Sequence, residues 1–282
     1  MPPIGVAFDM GPAAAPGAVA PVQDAALNLA HLESKRIIAH NVADLRSRSF
    51  DMLRTQVLQS MDLKSWQFLG VTSATEGCGK SVVAINLAMS IARQPERSVL
   101  LVDLDLQKPQ VASYLGLSCD RGVVSALQGR TSLQGSVIRA RARNEELLVL
   151  PCAAPTINSS ELIASRAMRG LMTDIKRDFR ACTVIFDLPP ILSSDDVISL
   201  LPQIDCVLFV VGAGTTTAEE IKECNRHLDS AEVVRVVLNK AEDADPGHYS
   251  YPQPVQGPAP GKKPGSDRVK PVSKLLKKLG EI

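Results

Sequence analysis

Short apolar runs alternate along the middle of the chain with segments whose apolar positions recur at helical spacing. Gln67 to Ser73, Ser98 to Asp103, Leu147 to Pro151, Thr183 to Asp187, Cys206 to Val211 and Val233 to Leu238 are largely continuous in their apolarity, the pattern of strands covered on two faces. Lys80 to Arg93 sets Val83, Leu87 and Ile91 four residues apart and predicts a helix. Asn158 to Phe179 predicts one long helix, with Ala164, Met168, Leu171, Met172, Ile175 and Phe179 in a single stripe and Asn158 and Glu161 spaced as a capping box. Thr216 to Leu228 is the last helix of the series. This alternation predicts an α/β fold, a mostly parallel sheet with helices on both faces and right-handed crossovers. In such sheets ligands bind beyond the carboxyl ends of the strands, here Ser73, Asp103, Asp187 and Gly212.

Composition sets the limits of the folded part. Residues 1–23 contain 5 Pro, 3 Gly and 6 Ala, and residues 244–265 contain 6 Pro and 4 Gly. The expected layout is a disordered Pro/Ala/Gly-rich arm over 1–30, a folded domain over 31–243 that opens with a helical segment at 31–62, and a flexible tail over 244–282. Lys plus Arg number 31 and Asp plus Glu 30, a net charge of +1, and aromatics are only 4%. A surface devoted to nucleic acid is thereby excluded. No apolar run approaches the ~20 residues of a membrane span, and no secretory leader is visible. Six scattered cysteines without a C-x-x-C pair fit a reducing compartment.

Candidate chemistry concentrates at the strand ends. Ala74-Thr75-Glu76-Gly77-Cys78-Gly79-Lys80-Ser81 follows one strand, opens a helix and ends in G-K-S, the signature of a phosphate-binding loop. Gly77 and Gly79 let backbone N–H groups turn inward around a phosphate, Lys80 supplies charge, and Ser81 offers a hydroxyl to Mg²⁺. Glu76 is out of place, because an acid beside phosphates is repelled unless it points away. A glycine-rich turn that merely starts a helix is the alternative, and the flanking strand and apolar helix favour nucleotide. Asp103 and Asp105 follow one strand and Asp187 ends another. Carboxylates so placed can serve Mg²⁺, a hard cation, and can take a proton from an incoming hydroxyl.

These motifs resemble the cytoplasmic catalytic domain of bacterial tyrosine kinases of the CpsD/CapB and Wzc type, which work in capsule and exopolysaccharide synthesis. The resemblance runs from about Asp44 to Lys240. It is carried by Leu53-Arg54-Thr55, the loop at 74–81, Val102-Asp103-Leu104-Asp105 with Lys108-Pro109, Asn158 with Glu161-Leu162, Asp187-Leu188-Pro189-Pro190 with Asp196, and Val237-Leu238-Asn239-Lys240. It implies a three-layer P-loop NTPase fold and ATP with Mg²⁺ as cofactors. Nucleotide would lie on residues 74–81 with Val82, and Asn239 would contact the base. The catalytic set would be Lys80, Asp103, Asp105 and Asp187. The metal set would be Ser81, Asp103 and Asp187, and the phospho-acceptors would be Tyr249 and Tyr251. It further implies a cytoplasmic protein drawn to the inner face of the membrane by a membrane-embedded polysaccharide co-polymerase or activator, and a homo-oligomer.

Three features depart from the family pattern. D-x-D-x-R-x-P reads Asp103-Leu104-Asp105-Leu106-Gln107-Lys108-Pro109, so Gln107 replaces an arginine. The E-x-x-R-x-x-R helix associated with oligomers reads Arg48 to Arg54 with its first two charges exchanged, at Arg48 and Asp51. The tyrosine cluster is reduced to two residues. An autokinase of polysaccharide polymerisation or export is therefore the first expectation. A catalytically weak, nucleotide-binding scaffold of the same system is the second. A ParA/MinD-like ATPase ranks third, because its additional loop lysine is replaced here by Thr75.

Overall fold

A computed structural model describes residues 23–229 and 231–241. In chain order the elements are β1 (Gln23–Ala26), α1 (Leu29–Ser34), α2 (Ser47–Lys64), β2 (Phe68–Ser73), α3 (Lys80–Ala92), β3 (Ser98–Asp103), α4 (Val111–Leu115), α5 (Val123–Leu127), α6 (Leu133–Ser136), β4 (Ile138–Ala142) and β5 (Glu145–Leu150). Then follow α7 (Ser159–Ala164), α8 (Arg166–Asp178), β6 (Cys182–Asp187), α9 (Asp196–Leu200), β7 (Cys206–Gly212), α10 (Ala218–Leu228) and β8 (Val233–Asn239). The eight strands form one sheet in the order β1-β4-β5-β3-β6-β2-β7-β8. Every neighbouring pair is parallel except β4 with β5, which are antiparallel.

Alternation along each central strand feeds two cores. Leu69, Val71, Leu101, Ile185 and Leu208 face one side, where they pack with α1 to α4. Phe68, Leu100, Val102, Val184, Phe186 and Val207 face the other and pack with α5 to α10. Every residue of β2 and of β6 is buried, which is why these strands read as largely continuous apolar runs. Phe68 and Phe186 meet edge to face with centroids 5.2 Å apart. All six cysteines are unpaired, and burial pushes the thiols of Cys152, Cys206 and Cys224 up to about 12.

Helix α3 is buried along nearly its whole length, including Asn86. Asn86 Oδ1 accepts from the backbone of Ile38 and Ala39, and Nδ2 donates to the carbonyls of Arg36 and Val82. One side chain thus satisfies the backbone of the 36–39 segment and clamps it to the helix that follows the phosphate loop.

Two expectations are corrected. The predicted disordered arm over 1–30 is ordered from Gln23 on, where β1 runs parallel to β4 and α1 follows. The sequence Gln-Asp-Ala-Ala carries no apolar period because β1 is an edge strand. It is held by ladder hydrogen bonds and by Asp24 near Arg139 and Arg141 at 3.6 and 3.5 Å. The predicted single helix from Asn158 to Phe179 is two. Ser165 adopts extended backbone and its hydroxyl accepts from Met168 N–H, so it caps α8, while Asn158 makes no side-chain cap. The expectations for residues 1–22, for the tail and for Tyr249 and Tyr251 lie outside the described residues.

Candidate active site

The parallel order brings the tips of β2, β3, β6, β7 and β8 to one edge of the sheet. The loop from Ala74 to Gly79 leaves β2 there, and α3 begins at Lys80. Gly77 and Gly79 both lie in the left-handed region, at φ 77° and 87°. A Cβ on Gly77 would meet nothing, so only backbone conformation demands glycine there. A Cβ on Gly79 would in addition collide with Asn239 Nδ2. That amide donates to the Cys78 carbonyl at 2.8 Å, so the tip of β8 ties down the loop. Cys78 Sγ lies 3.4 Å from Thr216 Oγ1, and the same hydroxyl accepts from Gly212 N–H at 3.0 Å. Ala74 sits beneath the loop, its carbonyl taken by Leu192 N–H. Thr216 and Asn86 were not singled out by sequence reasoning; neither belongs to a motif, and only their long-range contacts reveal them.

Lys80 lies among carboxylates. Its Nζ donates to Asp105 Oδ2 at 2.7 Å and stands 3.7 Å from Asp187 Oδ1. Burial alone would lower the Lys80 pKa, but Asp187 and Asp105 outweigh it and hold the ammonium above its ordinary value. Ser81 Oγ is 3.5 Å from the same ammonium. The candidate residues Lys80, Ser81, Asp103, Asp105 and Asp187 therefore form one cluster. Val82 stands in the first turn of α3, where its carbonyl serves Asn86.

The two register-paired aspartates differ. Asp103 and Asp187 face each other across β3 and β6, and neither is accessible to solvent. Asp103 accepts three backbone N–H groups, from Asp105 at 3.2 Å, Gln110 at 3.1 Å and Val111 at 3.0 Å. Neither oxygen of Asp187 has a hydrogen-bond partner, although the Ser81 hydroxyl lies near enough to ease its charge. Burial raises both carboxyl pKa values. The charge of Asp187 pushes Asp103 further up, and Lys80 partly restrains Asp187.

A buried carboxylate that takes no hydrogen bond and has the Lys80 ammonium at 3.7 Å is incompletely satisfied, and a closer cation would complete it. Asp187 with the Ser81 hydroxyl supplies the hard oxygen donors that Mg²⁺ prefers. The residues present fit that ion and a polyphosphate cradled by the loop amides. Gln107 faces away, its Nε2 donating to Ser159 Oγ at 2.8 Å. On α2, Asp51 is bound within the chain, accepting from Ser90, Arg93 and Arg54 at 2.7, 2.9 and 3.2 Å.

Residues 69–253 match the CobQ/CobB/MinD/ParA nucleotide-binding domain family. The chain is 30% identical over 214 residues to the tyrosine-protein kinase YwqD of Bacillus subtilis, covering 73% of this chain and 86% of that one. It is 30% identical over 187 residues to the succinoglycan biosynthesis transport protein ExoP of Rhizobium meliloti, covering 64% of this chain but only 23% of that one. The solved kinase domain of the Escherichia coli tyrosine kinase ETK superimposes with a TM-score of 0.64 at 26% identity, over 76% of this chain and 82% of that domain. On the fold, the loop and these relatives together, the chain belongs to the bacterial tyrosine kinases of capsule and exopolysaccharide systems.

Proposed function

We propose that this chain transfers the γ-phosphoryl group of ATP to tyrosine, with Tyr249 and Tyr251 as acceptors, and thereby regulates polysaccharide polymerisation or export. The observation that carries the reading is Lys80 held between Asp105 and Asp187 at the mouth of the loop, with neither oxygen of Asp187 hydrogen-bonded. Mg²⁺ bound here would neutralise phosphate charge. Asp187 and Ser81 would hold it, with Asp103 behind them at the neighbouring strand tip. The loop amides from Gly77 to Ser81 bind phosphate oxygens, and Lys80 leaves Asp105 to meet the outer phosphates. Asp105 is then free to take the tyrosine proton. The tyrosine oxygen forms its bond to phosphorus as the bond to the bridging oxygen of ADP breaks. Asn239 at the tip of β8 holds the loop through the Cys78 carbonyl, and a base contact by it is tested separately.

Among the described residues no helix is long and apolar enough to cross a membrane. We infer that a separate membrane-embedded co-polymerase recruits the chain to the inner face of the membrane and completes the site. The internal bonding of Asp51 and Arg54 leaves the exchanged Arg48 as the charge α2 offers to another copy of the chain.

The test is a phosphotyrosine measurement on purified full-length protein with Mg-ATP, with and without a cytoplasmic segment of the activator. Wild type should label, and the Tyr249→Phe/Tyr251→Phe double variant should not. ATP binding without labelling in either condition would instead establish the scaffold reading that Gln107 invites.

A further inference from the structure

The phosphate loop carries an acid where anions are to bind, and the fold supplies its counter-charge from a different element. Both carboxylate oxygens of Glu76 accept from Lys108 Nζ, at 2.6 and 2.7 Å. Lys108 lies in the loop after β3, and its backbone N–H donates to Asp105 Oδ1 at 3.1 Å. The other oxygen of Asp105 holds Lys80. A single aspartate therefore anchors one lysine by its side chain and the other by its backbone, on the two walls of the loop's mouth. Gln107 has turned to Ser159, and Lys108, bonded to Glu76, is the cation this segment brings to the phosphate loop.

The two ion pairs differ in depth. The side chains of Lys80 and Asp105 are 11% and 6% exposed, whereas those of Lys108 and Glu76 are 63% and 56% exposed. An exposed pair is weakly held, because water and salt compete for both partners. A triphosphate, with several charges and strong acceptor oxygens, outcompetes one solvated carboxylate for an ammonium. Glu76 at the outer turn has open solvent into which to swing. A lysine can make this transfer because its charge is compact and its stem flexible.

We infer that Lys108 is a phosphate-contacting catalytic residue of this site, parked on Glu76 until nucleotide arrives and then moved to the outermost phosphate oxygens. It supplies there the charge that Gln107 lacks. The inference rests on the kinase reading above.

The experiment compares Lys108→Met, Glu76→Gln and the double variant, all as full-length protein. Affinities for Mg-ADP and for a non-hydrolysable Mg-ATP analogue are measured alongside the rate of tyrosine labelling. Lys108→Met should slow labelling about tenfold or more and weaken the ATP analogue more than ADP, since only the former carries the outermost phosphate. Glu76→Gln should tighten the ATP analogue a few-fold, more so at low salt. The double variant should remain as slow as Lys108→Met. If Glu76 and Lys108 merely neutralise each other, the double variant recovers the wild-type rate, and that recovery overturns the inference. Equal weakening of ADP and the ATP analogue by Lys108→Met overturns it too. Wild type that binds Mg-ATP without labelling would sink the kinase reading alone, and the ratio of the two affinities would still judge Lys108.

Discussion

The tips of β3 and β6 stand side by side, end in the same residue type and bury it equally, yet they have opposite surroundings. Asp103 is spent on the protein, where three backbone N–H groups of the following turn converge on it. Asp187 takes no hydrogen bond from the protein and leans on the Lys80 ammonium 3.7 Å away. A carboxylate that organises a loop is satisfied in the folded chain itself. One that serves a bound cation is satisfied only when the ligand arrives, and until then its burial destabilises the fold. Identical motif positions can thus divide between architecture and chemistry.

The largest effect expected is that of Asp187→Asn. Phosphoryl transfer should fall by at least ~10²-fold, because the removed charge is the one proposed to hold the metal. Stability of the nucleotide-free protein should rise, by about 1 kcal/mol, as a buried carboxylate without a hydrogen bond disappears while Asp105 keeps its bond to Lys80. The pH dependence gives a second readout. Asp187 has a raised pKa, so the folded chain holds its proton more tightly than the unfolded chain. Its contribution is most favourable in acid and is lost as pH rises from the unfolded value, about 3.9, through the raised folded one. Thermal denaturation across that window should be flatter in Asp187→Asn than in wild type. A less stable Asp187→Asn protein would mean that the carboxylate already has a partner, and the contrast with Asp103 would dissolve.

Asp103→Ala should behave in the opposite sense, losing stability by about 2–3 kcal/mol as three backbone N–H groups lose their acceptor. Asp103→Asn keeps one carbonyl oxygen and should recover part of that loss. Labelling rate should follow the loss of order in the 104–111 loop, so affinity for ATP should suffer before turnover does. Chemical denaturation with parallel rate measurements checks the split. A stable Asp103→Ala protein with no turnover would make Asp103 a metal ligand on equal terms with Asp187.

The sequence carried most of this fold because the central strands are apolar on both faces, and that pattern is visible in one dimension. The same logic explains the misses. Strand β1 has no apolar face to announce it; backbone pairing and ions hold it at the edge. The break at Ser165 is a cap inside a continuous apolar stripe, and the stripe hides it. The clustering of these residues was legible, since loop and acids belong to contiguous motifs at neighbouring strand tips. The division of labour between Asp103 and Asp187 was not, because it depends on which N–H groups a turn happens to aim inward. Asn86 and Thr216 were silent for the same reason: their hydrogen bonds reach 47 and 138 residues along the chain.

The smallest expected effect belongs to a third strand tip, β8, and it asks on which side of the contrast Asn239 falls. Its amide donates to the Cys78 carbonyl and fills the space beside Gly79, so it resembles Asp103 in shaping the loop from within. A neutral hydrogen bond of this kind contributes about 1 kcal/mol, a factor of roughly five in an equilibrium constant. Asn239→Ala should therefore weaken ATP, GTP and inorganic tripolyphosphate by a similar factor, since the loop binds phosphates and all three present them. Titration calorimetry with the three ligands reads this directly. If ATP loses distinctly more than tripolyphosphate, Asn239 also touches the base, and this residue alone would join architecture to recognition. If none of the three changes, the tie to Cys78 is idle, and the loop keeps its shape by Gly77, Gly79 and the Thr216 contact without it.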